Sequence, residues 1–282
     1  MRIFGVDFTS APSRRKPITY TECELTGTTL RYGFSGRLED FSAFEAFLET
    51  PGPWVAAFDF PFGQPRKLLD QLGLRKGWSD YVLKISELGM KGWDTLLQEY
   101  RDPRPAGDKE HRRETDVLAA SLSPMKMYGI PVGKMFFQGA PRLLKSGVCI
   151  LPCRPNASDR KAVEGYPKLI AQQWAGREGY KNDQKSKQTP AQVETRKKIV
   201  AGLNQDLFRV CGLHVEIDGA VQEALVSDAS GDTLDGFLCA IQAAWAARQP
   251  DSSYGIPAEA DPDEGWIAGS RPSDGFGRPS NR

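Results

Sequence analysis

Apolar and polar positions alternate unevenly along the chain, and the changes of rhythm mark its elements. Residues 2–9, RIFGVDFT, open on a short apolar run that meets a carboxylate at Asp7 and read as a buried strand. ITYTECEL (18–25) alternates apolar and polar side chains, and TLRYGFSG (29–36) follows the turn-like Gly27. Three short runs joined by brief turns predict an antiparallel meander. In EDFSAFEAFLET (39–50), Phe41, Phe44, Phe47 and Leu48 recur at helical spacing, and Pro51-Gly52-Pro53 ends that helix. WVAAFDFPFG (54–63) is a second buried run, and it too meets an aspartate, Asp59. A strand returning to the sheet after a helix is expected to lie parallel to one of the first three.

Beyond it, residues 64–145 are helical in pattern, interrupted by a charged loop at 100–113. GVCILPCRP (147–155) predicts one more strand, and PKLIAQQWA (167–175) a helix with Pro167 at its first position. GREGYKNDQKSKQ (176–188) reads as an exposed loop. Thr189-Pro190-Ala191-Gln192 has the form of a capping box, with Val193, Val200, Leu203, Leu207 and Val210 following on one helical face. GDTLDGFLCAIQAAWAARQ (231–249) is the clearest helix, with Leu234, Leu238, Ile241 and Trp245 in register. The division that follows is a main domain at 1–249, carrying a helical insertion at about 64–145, and an irregular covering tail at 250–282 rich in Pro, Gly, Ser and Asp.

Composition narrows the function classes. The 282 residues carry 37 basic and 36 acidic side chains for a net charge of +1, so attraction to nucleic acid must come from local patches. The five cysteines, Cys23, Cys149, Cys153, Cys211 and Cys239, are odd in number and sit mostly in apolar runs, which points to reduced thiols and a cytoplasmic location. No apolar stretch has the length of a membrane span.

The carboxylates are the chemistry worth following. Asp7 and Asp59 end two apolar runs separated by a helix. If those strands are parallel neighbours, both acids emerge where ligand sites of open α/β sheets form. Glu164 stands just before a helix start, and Asp232 and Asp235 lie three apart on the last helix, on one face of it. Two strand ends and two helix starts could supply a two-metal centre, with Mg²⁺ or Mn²⁺ ions about 3.5–4 Å apart. Each acid also has a simpler role. Asp7 and Asp59 can serve turns, Asp232 can cap its helix, Asp235 suits the positive end of the helix dipole, and Glu164 can be solvated.

The remaining signals are weaker. Cys149 and Cys153 have no second pair or histidine at zinc spacing, and neither His111 nor His214 has a nucleophile or metal partner in the sequence. No nucleophile elbow and no phosphate-binding P-loop is present. Lys181, Lys185 and Lys187, then Arg196, Lys197 and Lys198, form a basic stretch that could track a phosphate backbone or simply be solvated. Tyr180 and Trp174 could stack on bases, although Trp174 lies in a helix and suits a core.

GVDFTSA, AFDFPFG, VEGYPKL and GDTLDGFLCAIQAAWAA occur in the order found in the family known as domain of unknown function 429, whose members are predicted ribonuclease-H-like nucleases. The likeness spans roughly residues 2–249, and DEGWI at 263–267 fits the usual tail. RRETD at 112–116 resembles the family's Arg-x-x-Asp element and would put Arg113 and Asp116 near the site. The resemblance implies an α/β fold: a mixed five-stranded sheet, meander first and parallel strands after, flanked by helices. It also implies metal-dependent phosphodiester cleavage centred on Asp7, with Asp59, Glu164 and Asp235 as further metal ligands and Asp232 as a fifth acid. One departure is visible. Phe8-Thr9-Ser10 is bulkier than the small residues expected after Asp7.

The leading expectation is therefore a metal-dependent nuclease acting on DNA or RNA, with Arg113, Lys181, Lys185 and Lys187 binding substrate. A catalytically inactive module that binds nucleic acid or protein is the first alternative. A phosphotransferase of the actin and sugar-kinase type is the second.

Overall fold

The computed structural model describes residues 1–274 and 276. A twisted seven-stranded sheet runs through the molecule in the order β5-β6-β4-β1-β2-β3-β7. The strands are β1 (Arg2–Asp7), β2 (Ile18–Thr26), β3 (Thr29–Leu38), β4 (Trp54–Phe58), β5 (Cys149–Ile150), β6 (Arg160–Glu164) and β7 (His214–Glu216). The helices are α1 (Phe41–Leu48), α2 (Arg66–Gln71), α3 (Trp78–Arg101), α4 (Glu114–Ala119), α5 (Val132–Ser146), α6 (Pro167–Ala175), α7 (Pro190–Cys211), α8 (Gly219–Ser227) and α9 (Asp232–Ala247).

The predicted meander is present: β1 pairs with β2, and β2 with β3, all antiparallel. β4 returns parallel to β1, and β6 lies parallel to β4. The expected five strands become seven because β6 and β7 are added, and the two edge strands are short. β5 pairs with β6 through two residues, and β7 with β3 through three. Strands this short carry too few side chains to show a period. Of the strand expected over 147–155 only Cys149–Ile150 forms, and the strand beside β4 is the unpredicted β6.

Alternation along the strands sorts side chains into two cores. Phe4 and Val6 of β1, with Ala56 and Phe58 of β4, face an aromatic layer containing Phe44 and Phe47 from α1 and Trp78 and Tyr81 from α3. Ile3 of β1, with Val55 and Ala57 of β4, faces α9, α6 and α7. β4 is buried along its whole length, as a parallel strand covered on both sides must be. The 64–145 segment is helical as expected: α2, α3, α4 and α5 lie in it, and α3 and α5 build the aromatic side.

α9 approaches the sheet unusually closely. A Cβ on Gly5 would stand 2.0 Å from the Gly236 carbonyl oxygen and 2.0 Å from the Ala240 amide nitrogen. Glycine at position 5 therefore lets the helix backbone rest on β1, and every residue of α9 from Leu234 to Ala247 is buried. α7 begins with the predicted capping box, Thr189 and Gln192 each accepting the other's backbone amide.

The tail is irregular but packed. Ile267 bridges in parallel to Glu164, the Ala268 amide donates to the Glu164 carbonyl at 2.9 Å, and Trp266, Ile267, Ala268 and Phe276 are buried. Position 275 and positions 277–282 of that tail lie outside the described residues. Among the described residues no helix is long and apolar enough to cross a membrane.

Candidate functional site at the carboxyl edge of the sheet

The parallel register of β1 and β4 pairs Val6 with Phe58, so Asp7 and Asp59 leave the sheet side by side. The Asp59 amide donates to the Val6 carbonyl at 2.9 Å, carrying the parallel pairing one step past β4. Both acids share strand parity with Gly5 and Ala57, which turns them toward α9. There they meet Asp235, fully buried one turn into α9, and the half-buried Asp232 at the helix start.

Neither Asp7 nor Asp59 has a hydrogen bond or ion pair to its half-buried carboxylate among the described residues. The turn roles open to them in the sequence are therefore not what their side chains do. Capping of α9 is likewise carried by another residue. Asp228 accepts from the amides of Ser230, Gly231 and Thr233 at 3.1, 3.3 and 2.9 Å, which leaves Asp232 and Asp235 free of that duty. A carboxylate just ahead of SGDT was the available sequence signal for this cap.

The site holds more anion than cation. Burial first, and then Asp235, Asp59 and Asp232, hold the Asp7 carboxyl well above its usual range, with Lys181 opposing them. Burial, followed by Asp235, pushes Asp59 up to about 7. Lys181 sits within the cluster, its ammonium paired with Asp235 Oδ2, while the Tyr180 hydroxyl donates to Asp235 Oδ1 at 2.6 Å. Lys181 was expected to meet substrate, but its first partner is this aspartate. Tyr180 was a candidate for base stacking. It is buried, and its hydroxyl serves Asp235.

Glu164 leaves the sheet on the other face, although its charge still helps to raise Asp59. Its register partner is Phe58, so strand alternation turns it to the face opposite Asp7 and Asp59. It is buried there, where Arg113 takes both its oxygens, Nη2 to Oε1 at 2.5 Å and Nη1 to Oε2 at 2.8 Å. The Phe62 amide adds a third hydrogen bond at 2.9 Å. Arg113 also grips Asp116 through Nε at 2.9 Å and Nη2 at 2.7 Å. Burial disfavours the guanidinium charge, but Asp116 and Glu164 outweigh it and hold its pKa well above the ordinary value. The Arg113–Asp116 element thus lies beneath the sheet edge as a buried tie, and Arg113 is closed to substrate.

Among the described residues no three His, Cys, Asp or Glu side chains form a group able to hold a metal ion. The acids of the expected ligand set are divided: Glu164 to Arg113, Asp235 to Lys181, and Asp7 with Asp59 left as a pair. The basic stretch is divided as well. Lys185 and Lys187 are exposed on a short 3₁₀ turn, and Lys197 and Lys198 pair with Glu194 and Glu178 at the surface. Arg196 is buried. Trp174 packs over Gly202. The two histidines have other partners: His111 Nε2 lies 2.7 Å from the Tyr100 hydroxyl, and His214 stacks on Phe208.

Residues 5–261 match the family described as protein of unknown function (DUF429). The chain belongs to the DUF429 family. The matched span contains Asp7, Asp59, Arg113, Glu164, Lys181 and Asp235, so both the open carboxylate pair and the buried arginine tie fall within DUF429. No curated protein and no solved structure matches this DUF429 chain.

Proposed function

We propose that the carboxyl edge of the sheet hydrolyses phosphodiesters of nucleic acid with the help of a divalent cation, Mg²⁺ or Mn²⁺, held by Asp7 and Asp59. The observation that carries this reading is the pair itself, two adjacent half-buried carboxylates with no hydrogen bond or ion pair among the described residues and with pKa values raised by burial and by the neighbouring Asp235. Paired anions of this kind fit a hard cation, and Mg²⁺ is commonly held by one or two carboxylates with water and substrate phosphate completing its shell. When bound, such a cation polarises a phosphoryl oxygen and acidifies water.

The chain's own groups do the rest. Asp7 and Asp59 present oxygens from two rigid strand ends, and the Val6–Asp59 hydrogen bond fixes their separation. Arg113 holds the end of β6 through Glu164 and so supports the edge without touching substrate. Lys185 and Lys187, exposed on the loop that leads from the site, suit a phosphate backbone and make binding sensitive to salt. The five longer strands, β3-β2-β1-β4-β6 with β2 alone antiparallel, have the meander-then-parallel order implied by a ribonuclease-H-like fold, and this supports the reading.

The test is cleavage of single-stranded, duplex and branched DNA and RNA in Mn²⁺. Cleavage is expected from wild type, and none in EDTA or from a folded Asp7→Asn variant. An Asp7→Asn protein that still cleaves overturns the assignment. The Lys181–Asp235 pair favours one rival, a silent module that binds nucleic acid or protein with part of its acidic cluster permanently neutralised. Salt-dependent binding that is indifferent to EDTA, with no cleavage of any substrate, would establish that rival.

A further inference from the structure

We infer that Lys181 is a built-in cation of the carboxylate cluster, placed where it withholds Asp235 from metal, so that the site takes one divalent ion rather than two. This rests on the cation reading of Asp7 and Asp59 given above and specifies how their cluster is divided.

Both oxygens of the fully buried Asp235 are satisfied by neighbouring residues of the chain, one by the Lys181 ammonium and one by the Tyr180 hydroxyl. Each oxygen keeps a further lone pair, but the Lys181 ammonium held against the carboxylate repels any cation brought to it. The lysine is anchored from behind. Arg196, itself buried, donates to the Tyr180 carbonyl at 2.6 Å and to the Val226 carbonyl at 2.7 Å, while Gln192 Nε2 donates to the Lys181 carbonyl at 3.2 Å. The Lys181 methylenes lie against Gly231, the residue just before α9: a Cβ there would come within 2.8 Å of Lys181 Cβ and 2.9 Å of its Cδ. The ammonium therefore enters the cluster along a fixed path, unlike a surface lysine that swings free. From that position it acts electrostatically on Asp7 and Asp59 as well as on Asp235. Its side chain is still 37% exposed, open on one side to a phosphoryl oxygen brought in by substrate. An ammonium held in the cluster in this way would suit charge developing on a departing oxygen.

The experiment combines Mn²⁺ titration calorimetry with thermal unfolding in EDTA, using wild type, Lys181→Met, Lys181→Arg, Asp235→Asn and the Lys181→Met/Asp235→Asn double variant. Wild type is expected to bind one Mn²⁺ per chain, the Lys181→Met/Asp235→Asn double variant to bind one with little change in affinity, and Lys181→Met to bind two. In EDTA, Lys181→Met is expected to lower Tm, with Asp235→Asn restoring it in the double variant and Lys181→Arg staying close to wild type. Two Mn²⁺ ions on wild type, or loss of the Mn²⁺ site in the Lys181→Met/Asp235→Asn double variant, makes Asp235 a metal ligand and overturns the inference. An unchanged Tm in Lys181→Met overturns the counter-ion role without any reference to metal. If no variant binds Mn²⁺ while the unfolding cycle shows coupling, the one-ion count falls together with the cation reading it rests on, and the Lys181–Asp235 pairing alone stands.

Discussion

Asp7 and Asp59 stand next to each other at the ends of parallel strands, joined by the hydrogen bond from the Asp59 amide to the Val6 carbonyl, and neither carboxylate has a hydrogen bond or ion pair among the described residues. Buried acids are ordinarily paired or neutral. The cost of leaving this pair open is offset elsewhere in the fold, by a close-packed helix above it and a tightly bonded arginine below. That balance gives each part of the site a distinct signature.

The buried arginine tie is structural. Arg113→Met strands Glu164 and Asp116 in the interior without their cation, and removing one member of such a buried pair costs about 3–5 kcal/mol. Chemical unfolding is expected to show a loss of that size. A variant as stable as wild type would contradict the structural role of the tie.

Acidic pH favours the cation-free fold at Asp59. Below the ordinary carboxylate pKa, folded and unfolded chains are both protonated there and the contribution is whole. As pH rises toward about 7 the unfolded chain ionises first while the folded one keeps its proton, so stability is lost over that window. Asp7, shifted the same way, adds to the loss. In EDTA, Asp59→Asn is expected to be more stable relative to wild type at pH 7.5 than at pH 4.5. The reverse ordering in unfolding curves would contradict the shift.

The approach of α9 to β1 depends on the absence of a side chain at position 5. Gly5→Ala places a Cβ 2.0 Å from two backbone atoms of the helix, which no rotamer change can relieve. The expected cost exceeds the ~1–3 kcal/mol of ordinary overpacking. Poor folding or a large fall in Tm is the outcome to look for, and a neutral Gly5→Ala would refute the close contact.

Asp228 caps α9, and Asp232 does not. Asp228→Ala should therefore cost about 0.5–2 kcal/mol, whereas Asp232→Ala removes no cap hydrogen bond and should cost less. Paired denaturant melts decide it, and equal losses from both would return the capping role to Asp232.

Much of this architecture could be read from the residue pattern. The meander, the return of β4, the helical middle, the capping box at Thr189 and the last helix all have periods long enough to see. Asp7 and Asp59 were legible for the same reason, because each ends an apolar run. Glu164 was misjudged because β6, RKAVE, begins with two charged side chains and reads as loop, and because strand parity cannot be assigned to an unrecognised strand. Its partner Arg113 lies 51 residues away, a distance only the fold closes. Lys181 looked like one more residue of a basic loop. Its role depends on Arg196 and Gly231 steering it inward, which no local pattern records. The edge strand β7 was lost to brevity, and β5 is only two residues of the longer strand expected over 147–155.

The central claim, that Asp7 and Asp59 together hold a divalent cation, is tested most directly by thermal unfolding of wild type and Asp7→Asn with and without Mn²⁺ at pH 7.5. Ligand at a hundredfold excess over its dissociation constant adds about 2.7 kcal/mol, which in a chain of this size raises Tm by roughly 5 °C or more. The account predicts that rise for wild type and none for Asp7→Asn. Equal shifts in both proteins would place the ion elsewhere, and the absence of a shift in wild type at saturating Mn²⁺ would contradict the claim.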